Sequence, residues 1–114
     1  MIPSFIDLQI YGAKNSLLMV EPKEETIKKI YDHNVHSGTF FFQPTIASES
    51  KDTIFKSIDA VKSYISNGGK GCLGLHIEGP WINQNRKGAH SLKYINSPAE
   101  KDVKQIIDRA EGSI

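Results

Sequence analysis

Three short runs rich in β-branched and aromatic residues (Phe5 to Tyr11, Thr39 to Ile46 and Cys72 to Glu78) recur about every 34 residues, and an amphipathic segment follows each. Few folds accommodate that rhythm. Strands separated by helices of this length form right-handed βαβ units, so the chain is expected to be α/β with a parallel sheet. The first helix is predicted from about Pro22, with Glu24 and Glu25 in the first turn, where acidic side chains complement the helix dipole. Its apolar stripe is Ile27, Ile30, Tyr31 and Val35, and Gly38 is its stop. The second helix carries Ile54, Ile58, Val61 and Ile65 and ends at Asn67-Gly68-Gly69. The third follows Ser97-Pro98-Ala99-Glu100, which reads as a capping box with proline at the first helical position. Val103, Ile106, Ile107 and Ala110 form its apolar face, with Gly112 as its cap. Thr39-Phe40-Phe41-Phe42 is apolar or β-branched throughout, the pattern of a strand covered on both faces.

Charge excludes several classes of function. Fourteen Lys and Arg against 13 Asp and Glu leave no electrostatic footprint for nucleic acid or an anionic membrane. No apolar run approaches the roughly 20 residues that span a bilayer. No basic region followed by an apolar stretch marks a signal peptide, so a cytoplasmic location is expected. Cys72 is the only cysteine, which rules out an internal disulfide and a multi-cysteine zinc site.

The candidate chemistry lies in Gly74-Leu75-His76-Ile77-Glu78-Gly79-Pro80-Trp81 and in Lys87-Gly88-Ala89-His90 beyond it. Side chains alternate along a strand, so His76 and Glu78 share a face and Ile77 points the other way. Gly79-Pro80 then ends the ladder, because proline has no N–H to give it. A carboxylate at the C-terminal tip of a parallel strand sits where α/β folds keep their chemistry. Position alone leaves Glu78 open between a ligand-binding carboxylate and an ion-paired or solvated one. His90 is likewise open between a site residue and a solvated loop histidine near Arg86 and Lys87. Other motifs carry less. His33 and His36 occupy a polar last helical turn, where cationic side chains are favoured in any case. Gly68-Gly69-Lys70-Gly71 ends a helix and precedes a strand, the reverse of a phosphate-binding loop. His76-x-Glu78 lacks the downstream Pro-Cys-x-x-Cys that zinc deaminases need, which leaves His76 as a packed histidine.

Together these segments carry a resemblance. Gly74 to Trp81 resembles the metal-binding strand of the N-acetylglucosamine-6-phosphate deacetylases, a family of the amidohydrolase superfamily. Pro3-Ser4-Phe5-Ile6-Asp7-Leu8-Gln9-Ile10-Tyr11-Gly12 is similar to that family's opening strand, and Ser37 to Thr45 to its second. The fold implied is a partial TIM (β/α)₈ barrel: residues 1–114 would be the N-terminal portion of an amidohydrolase barrel domain, three parallel strands and their helices, without the flanking β-sandwich segments. A whole barrel takes about 250 residues. The activity implied is metal-dependent hydrolysis of N-acetylglucosamine 6-phosphate to glucosamine 6-phosphate and acetate.

By the same resemblance Glu78 is the carboxylate ligand of one divalent metal, zinc foremost, with iron or another divalent ion as the alternative. His90 meets the acyl carbonyl, and Ala89 touches substrate through its backbone. Many amidohydrolases place His-x-His at the end of the first strand for a second metal; Gln9-Ile10-Tyr11 stands there instead, so Gln9 is at most an outer-sphere group. Ala13-Lys14-Asn15 replaces the family's glycine-rich turn after the first strand. Two further histidine ligands and an aspartate acid/base are expected on later strands, outside these 114 residues. Since catalytic zinc sites normally take three protein ligands, the isolated chain is expected to bind metal weakly and to be inactive alone. The expected partners are an amino sugar phosphate and, for a full-length parent, a second subunit in a homodimer; no nucleic acid and no membrane are expected. Two alternatives stand beside this reading: an amidohydrolase for another amide, and a non-catalytic remnant or partner piece of a split barrel.

Overall fold

A computed structural model describes residues 3–114. In chain order the elements are β1 (Phe5–Ile10), a small hairpin of β2 (Gly12–Ala13) and β3 (Ser16–Leu17), α1 (Glu24–His36), β4 (Thr39–Ile46), α2 (Lys51–Ser66), β5 (His76–Ile77), a 3₁₀ turn (Gln84–Arg86) and α3 (Glu100–Ala110). The main sheet runs β1-β4-β5, and both of its pairings are parallel. This is the α/β architecture that the strand–helix rhythm implies.

Burial explains the helices. Ile27 and Ile30 of α1 and Ile54, Ile58 and Val61 of α2 are buried with Phe42 and Ile46 of β4 in one core. Helix α2 begins with a true cap: the Ser50 hydroxyl accepts the Thr53 N–H at 3.2 Å, relieving one of the orphan amides of the first turn. Gly38, at φ +83°, follows α1 and supplies the left-handed residue that terminates it. Gly69 lets the chain cross the Tyr64 ring, where an added Cβ would lie 2.3 Å from a ring carbon. Helix α3 is fastened to α2 by ion pairs, Lys51 to Asp102 at 2.7 Å and Lys62 to Glu111 at 2.6 Å. Such exposed pairs each contribute at most about 1 kcal/mol.

Several sequence expectations are corrected. The third strand does not run from Cys72 to Glu78. A single bridge joins Cys72 to Phe42, and pairing resumes only at His76–Ile77. Gly74 at φ +120° turns the backbone out of the ladder, and the Leu75 N–H bonds the Ser113 carbonyl at 2.7 Å instead. The capping box does not form: α3 starts at Glu100 with Ala99 as an extended N-cap and no side-chain cap, so Pro98 lies outside the helix. Phe40 and Phe41 are 47% and 45% exposed, because only Phe42 of that run meets the helices. Tyr64 takes the buried place expected of Ile65, and Ile107 is exposed while Ile106 and Ala110 carry the contact of α3. The β2–β3 hairpin adds a strand pair beyond the three expected strands. Lys14 and Asn15, both at positive φ, form its two-residue turn, the conformation whose twist matches that of the flanking strands.

Candidate active site

The C-terminal ends of β1, β4 and β5 bring four polar side chains together. Register does most of this: Thr45 pairs with His76 and Ile46 with Ile77, and the Glu78 N–H then bonds the Ile46 carbonyl at 2.9 Å. Glu78 is thereby fixed one residue past β5 although its own residue is no longer strand. Gln9 on β1 and Tyr11, one residue past its end, lie two positions apart and both reach Glu78. The Tyr11 hydroxyl donates a short hydrogen bond to Glu78 Oε2, and Gln9 Nε2 donates to the same oxygen at 3.2 Å. Gln9 Nε2 also lies 2.8 Å from the Tyr11 hydroxyl.

The other Glu78 oxygen faces His90. His90 Nε2 lies 3.3 Å from Glu78 Oε1, across 12 residues of loop. That loop is held by its own contacts: Lys87 Nζ donates to the carbonyls of Gly88 and His90, and the His90 N–H returns to the Lys87 carbonyl. The far side of the imidazole meets Ser48, two residues past β4. His90 Nδ1 is 2.8 Å from Ser48 Oγ and 3.3 Å from the Ser48 amide nitrogen. A Cβ on Gly79, which has φ +95°, would lie 2.2 Å from Ser48 Oγ, so the glycine is what admits Ser48 to this position.

Electrostatics agree with the geometry. The Tyr11 hydroxyl holds the Glu78 carboxyl below the ordinary range, with smaller contributions from His90 and Gln9 working against partial burial. The converse is seen at Tyr11, whose phenol is raised above its usual value chiefly by its bond to Glu78. Glu78 is therefore an anion at neutral pH, one third exposed, at the wall of a cleft of about 650 Å³. Tyr11, Ala47, Ile82, Arg86, Ala89 and His90 line the same cleft.

Glu78, His90 and Ala89 line one cleft, and Gln9 reaches Glu78 from a neighbouring cleft. His76 shares that neighbouring cleft with Gln9 but does not reach Glu78: its Nδ1 donates to the Leu8 carbonyl at 3.1 Å. His33 and His36 stay exposed at the end of α1. Among the described residues no three His, Cys, Asp or Glu side chains are grouped to hold a metal ion. No helix among them is long and apolar enough to cross a membrane. Sequence reasoning missed Ser48. Its only signal was position, just beyond the C-terminal end of a strand adjacent to the one bearing Glu78. A Ser–His–Glu chain invites comparison with hydrolytic triads, but Ser48 is 4% exposed and its amide also points at the imidazole, so it is not a nucleophile facing substrate.

This chain has relatives among known proteins. An N-acetylglucosamine-6-phosphate deacetylase of Haemophilus influenzae is 32% identical over 100 residues, covering 86% of this chain and 26% of that protein. One from Caenorhabditis elegans is 31% identical over 117 residues, covering 97% of this chain and 28% of the relative. The crystal structure of the Pasteurella multocida N-acetylglucosamine-6-phosphate deacetylase superimposes with a TM-score of 0.90 at 25% identity, over 98% of this chain and 29% of that one. Over nearly its whole length the chain is similar to N-acetylglucosamine-6-phosphate deacetylases. No family model matches it. The chain spans between a quarter and a third of the length of these deacetylases.

Proposed function

We propose that this chain forms the first three strands and helices of an amidohydrolase TIM barrel, and that its cleft serves the hydrolytic removal of acetate from N-acetylglucosamine 6-phosphate. One observation carries the reading: Glu78 and His90 converge at 3.3 Å beside an open cleft at the C-terminal ends of parallel strands. Phe5, Leu8, Phe41 and Leu73, apolar and exposed on or beside the sheet, support the barrel. They are the surfaces that further strands and helices would cover.

Amide hydrolysis needs an activated water, a polarised carbonyl and a proton for the amine. Glu78 suits a divalent metal as one hard, anionic oxygen ligand, its charge secured by Tyr11. With no cluster of three ligating groups among the described residues, further ligands from outside them complete any such site. A metal held there would supply Lewis acidity and make water more acidic, toward neutral pH. His90 Nε2–H, which faces Glu78 Oε1 at 3.3 Å here, would be given to the acyl oxygen as negative charge grows on it, and the loss of one such donor costs about 3–4 kcal/mol of barrier. Ala89 offers backbone contact to substrate from the same loop, and Gln9 steadies the carboxylate from behind.

The test is a chimera in which this chain replaces the matching quarter of the Haemophilus influenzae relative, assayed for acetate release from N-acetylglucosamine 6-phosphate. Release that is lost on chelation of divalent metal and abolished by Glu78→Gln is the expected result. Undiminished turnover in the Glu78→Gln chimera refutes the assignment.

A further inference from the structure

The contacts around His90 settle more than its place. Its Nδ1 has two neighbours from one residue, Ser48 Oγ at 2.8 Å and the Ser48 amide nitrogen at 3.3 Å. A hydroxyl can donate or accept, so that contact alone fits either tautomer of the ring. An amide N–H can only donate. Nδ1 must therefore present its lone pair, and the single hydrogen of the neutral ring falls on Nε2. The assignment satisfies the third contact as well, because Nε2–H then points at Glu78 Oε1, an acceptor, 3.3 Å away. The other tautomer sets two N–H groups against each other and turns a lone pair toward a carboxylate.

We propose that Ser48 is a positioning residue that holds His90 in the Nε2–H tautomer and so aims a hydrogen-bond donor into the cleft. The inference rests on the reading of His90 as the group that meets an acyl oxygen; with the opposite tautomer, that oxygen would meet a lone pair. Ser48, at 4% exposure, acts through His90 and does not itself reach substrate. Gly79 completes the arrangement, since any side chain there would occupy the space of Ser48 Oγ.

The experiment is ¹⁵N NMR of the histidine rings in the uniformly labelled chain at mildly alkaline pH, with His90 identified by the signals lost in His90→Gln. The expected pattern is an unprotonated Nδ1 and a protonated Nε2. A protonated Nδ1 in the neutral ring overturns the proposal. Ser48→Ala keeps the amide that decides the tautomer and deletes the hydroxyl, so Nε2 is expected to stay protonated while the Nδ1 shift moves as that nitrogen loses its nearer hydrogen-bond partner. Unchanged shifts in that variant also overturn it. The two readings fail separately: a silent chimera beside an Nε2–H His90 refutes the activity alone, and an active chimera beside an Nδ1–H His90 refutes the positioning alone.

Discussion

Gly79→Ala should be the most informative single substitution at the base of the cleft. Two costs can be read from the structure. Gly79 adopts φ +95°, which an L-residue with a Cβ enters only with about 1–3 kcal/mol of strain. Independently, the new Cβ would lie 2.2 Å from Ser48 Oγ and 3.3 Å from Ser48 Cβ, and overpacking of that kind costs about 1–3 kcal/mol. The sum, about 2–6 kcal/mol, is a large share of the 5–15 kcal/mol that holds a typical domain. Urea denaturation of the purified chain, followed by circular dichroism, should show the midpoint falling with an unchanged slope. A Gly79→Ala/Ser48→Gly double variant separates the two costs, because it removes the collision and keeps the backbone strain. It should recover about 1–3 kcal/mol, the steric share alone. A Gly79→Ala variant as stable as the parent would refute the claim that this glycine exists to admit Ser48. Full recovery in the double variant would refute the strain.

Other outcomes follow from the same structure. Tyr11→Phe removes the main donor to Glu78, so the Glu78 carboxyl should titrate at higher pH, as ¹³C NMR of that side chain would show. The sign for stability follows: a depressed carboxyl stabilises the fold above its ordinary value and loses that contribution as pH falls through the depressed one, so Tyr11→Phe should reduce this acid loss. Burial pushes the Tyr64 hydroxyl up to about 12. Its contribution is complete below the usual tyrosine value and is lost as pH rises toward 12, which thermal melts should register as a decline of about 1–2 kcal/mol that Tyr64→Phe abolishes. Ile58→Ala, at a fully buried position of α2, should cost about 2–5 kcal/mol in denaturant unfolding; a change under about 0.5 kcal/mol would contradict its place in the core. In the chimera, His90→Ala should lower turnover by about 10²–10³-fold, with a smaller change in KM.

The sequence makes some of this plain and hides the rest for physical reasons. Thr39 to Ile46 reads correctly as a strand from end to end, and α2 is marked by its apolar spacing and terminal glycines. Glu78 is legible because alternation and Gly79-Pro80 mark a strand tip. What stays hidden is non-local. Nothing near Leu75 reveals that its amide pairs with Ser113, and so nothing warns that the strand is cut to two residues. Ser97-Pro98 satisfies the local rules for a helix start, yet the helix begins two residues later. Phe40 and Phe41 have the composition of a doubly covered strand, but cover is supplied by other elements, and here the helices reach only Phe42. Ser48 illustrates the same limit in the site: a serine two residues past a strand is unremarkable until His90, 42 residues away, folds against it.

The bond between Leu75 and Ser113 ties the two ends of the last βα segment together, and that closure has a dynamic consequence. The residues leading to Glu78 are held on one side by β4 and on the other by the turn after α3, so fraying of α3 releases the Leu75 amide at the same moment as its own last turn. In hydrogen exchange the Leu75 amide should therefore share the opening free energy of α3, while the Glu78 amide, bonded to Ile46, should keep the slower exchange of β4. The carboxylate would then stand at the border between two cooperative units, anchored by the more persistent one while the segment before it opens and closes with the helix.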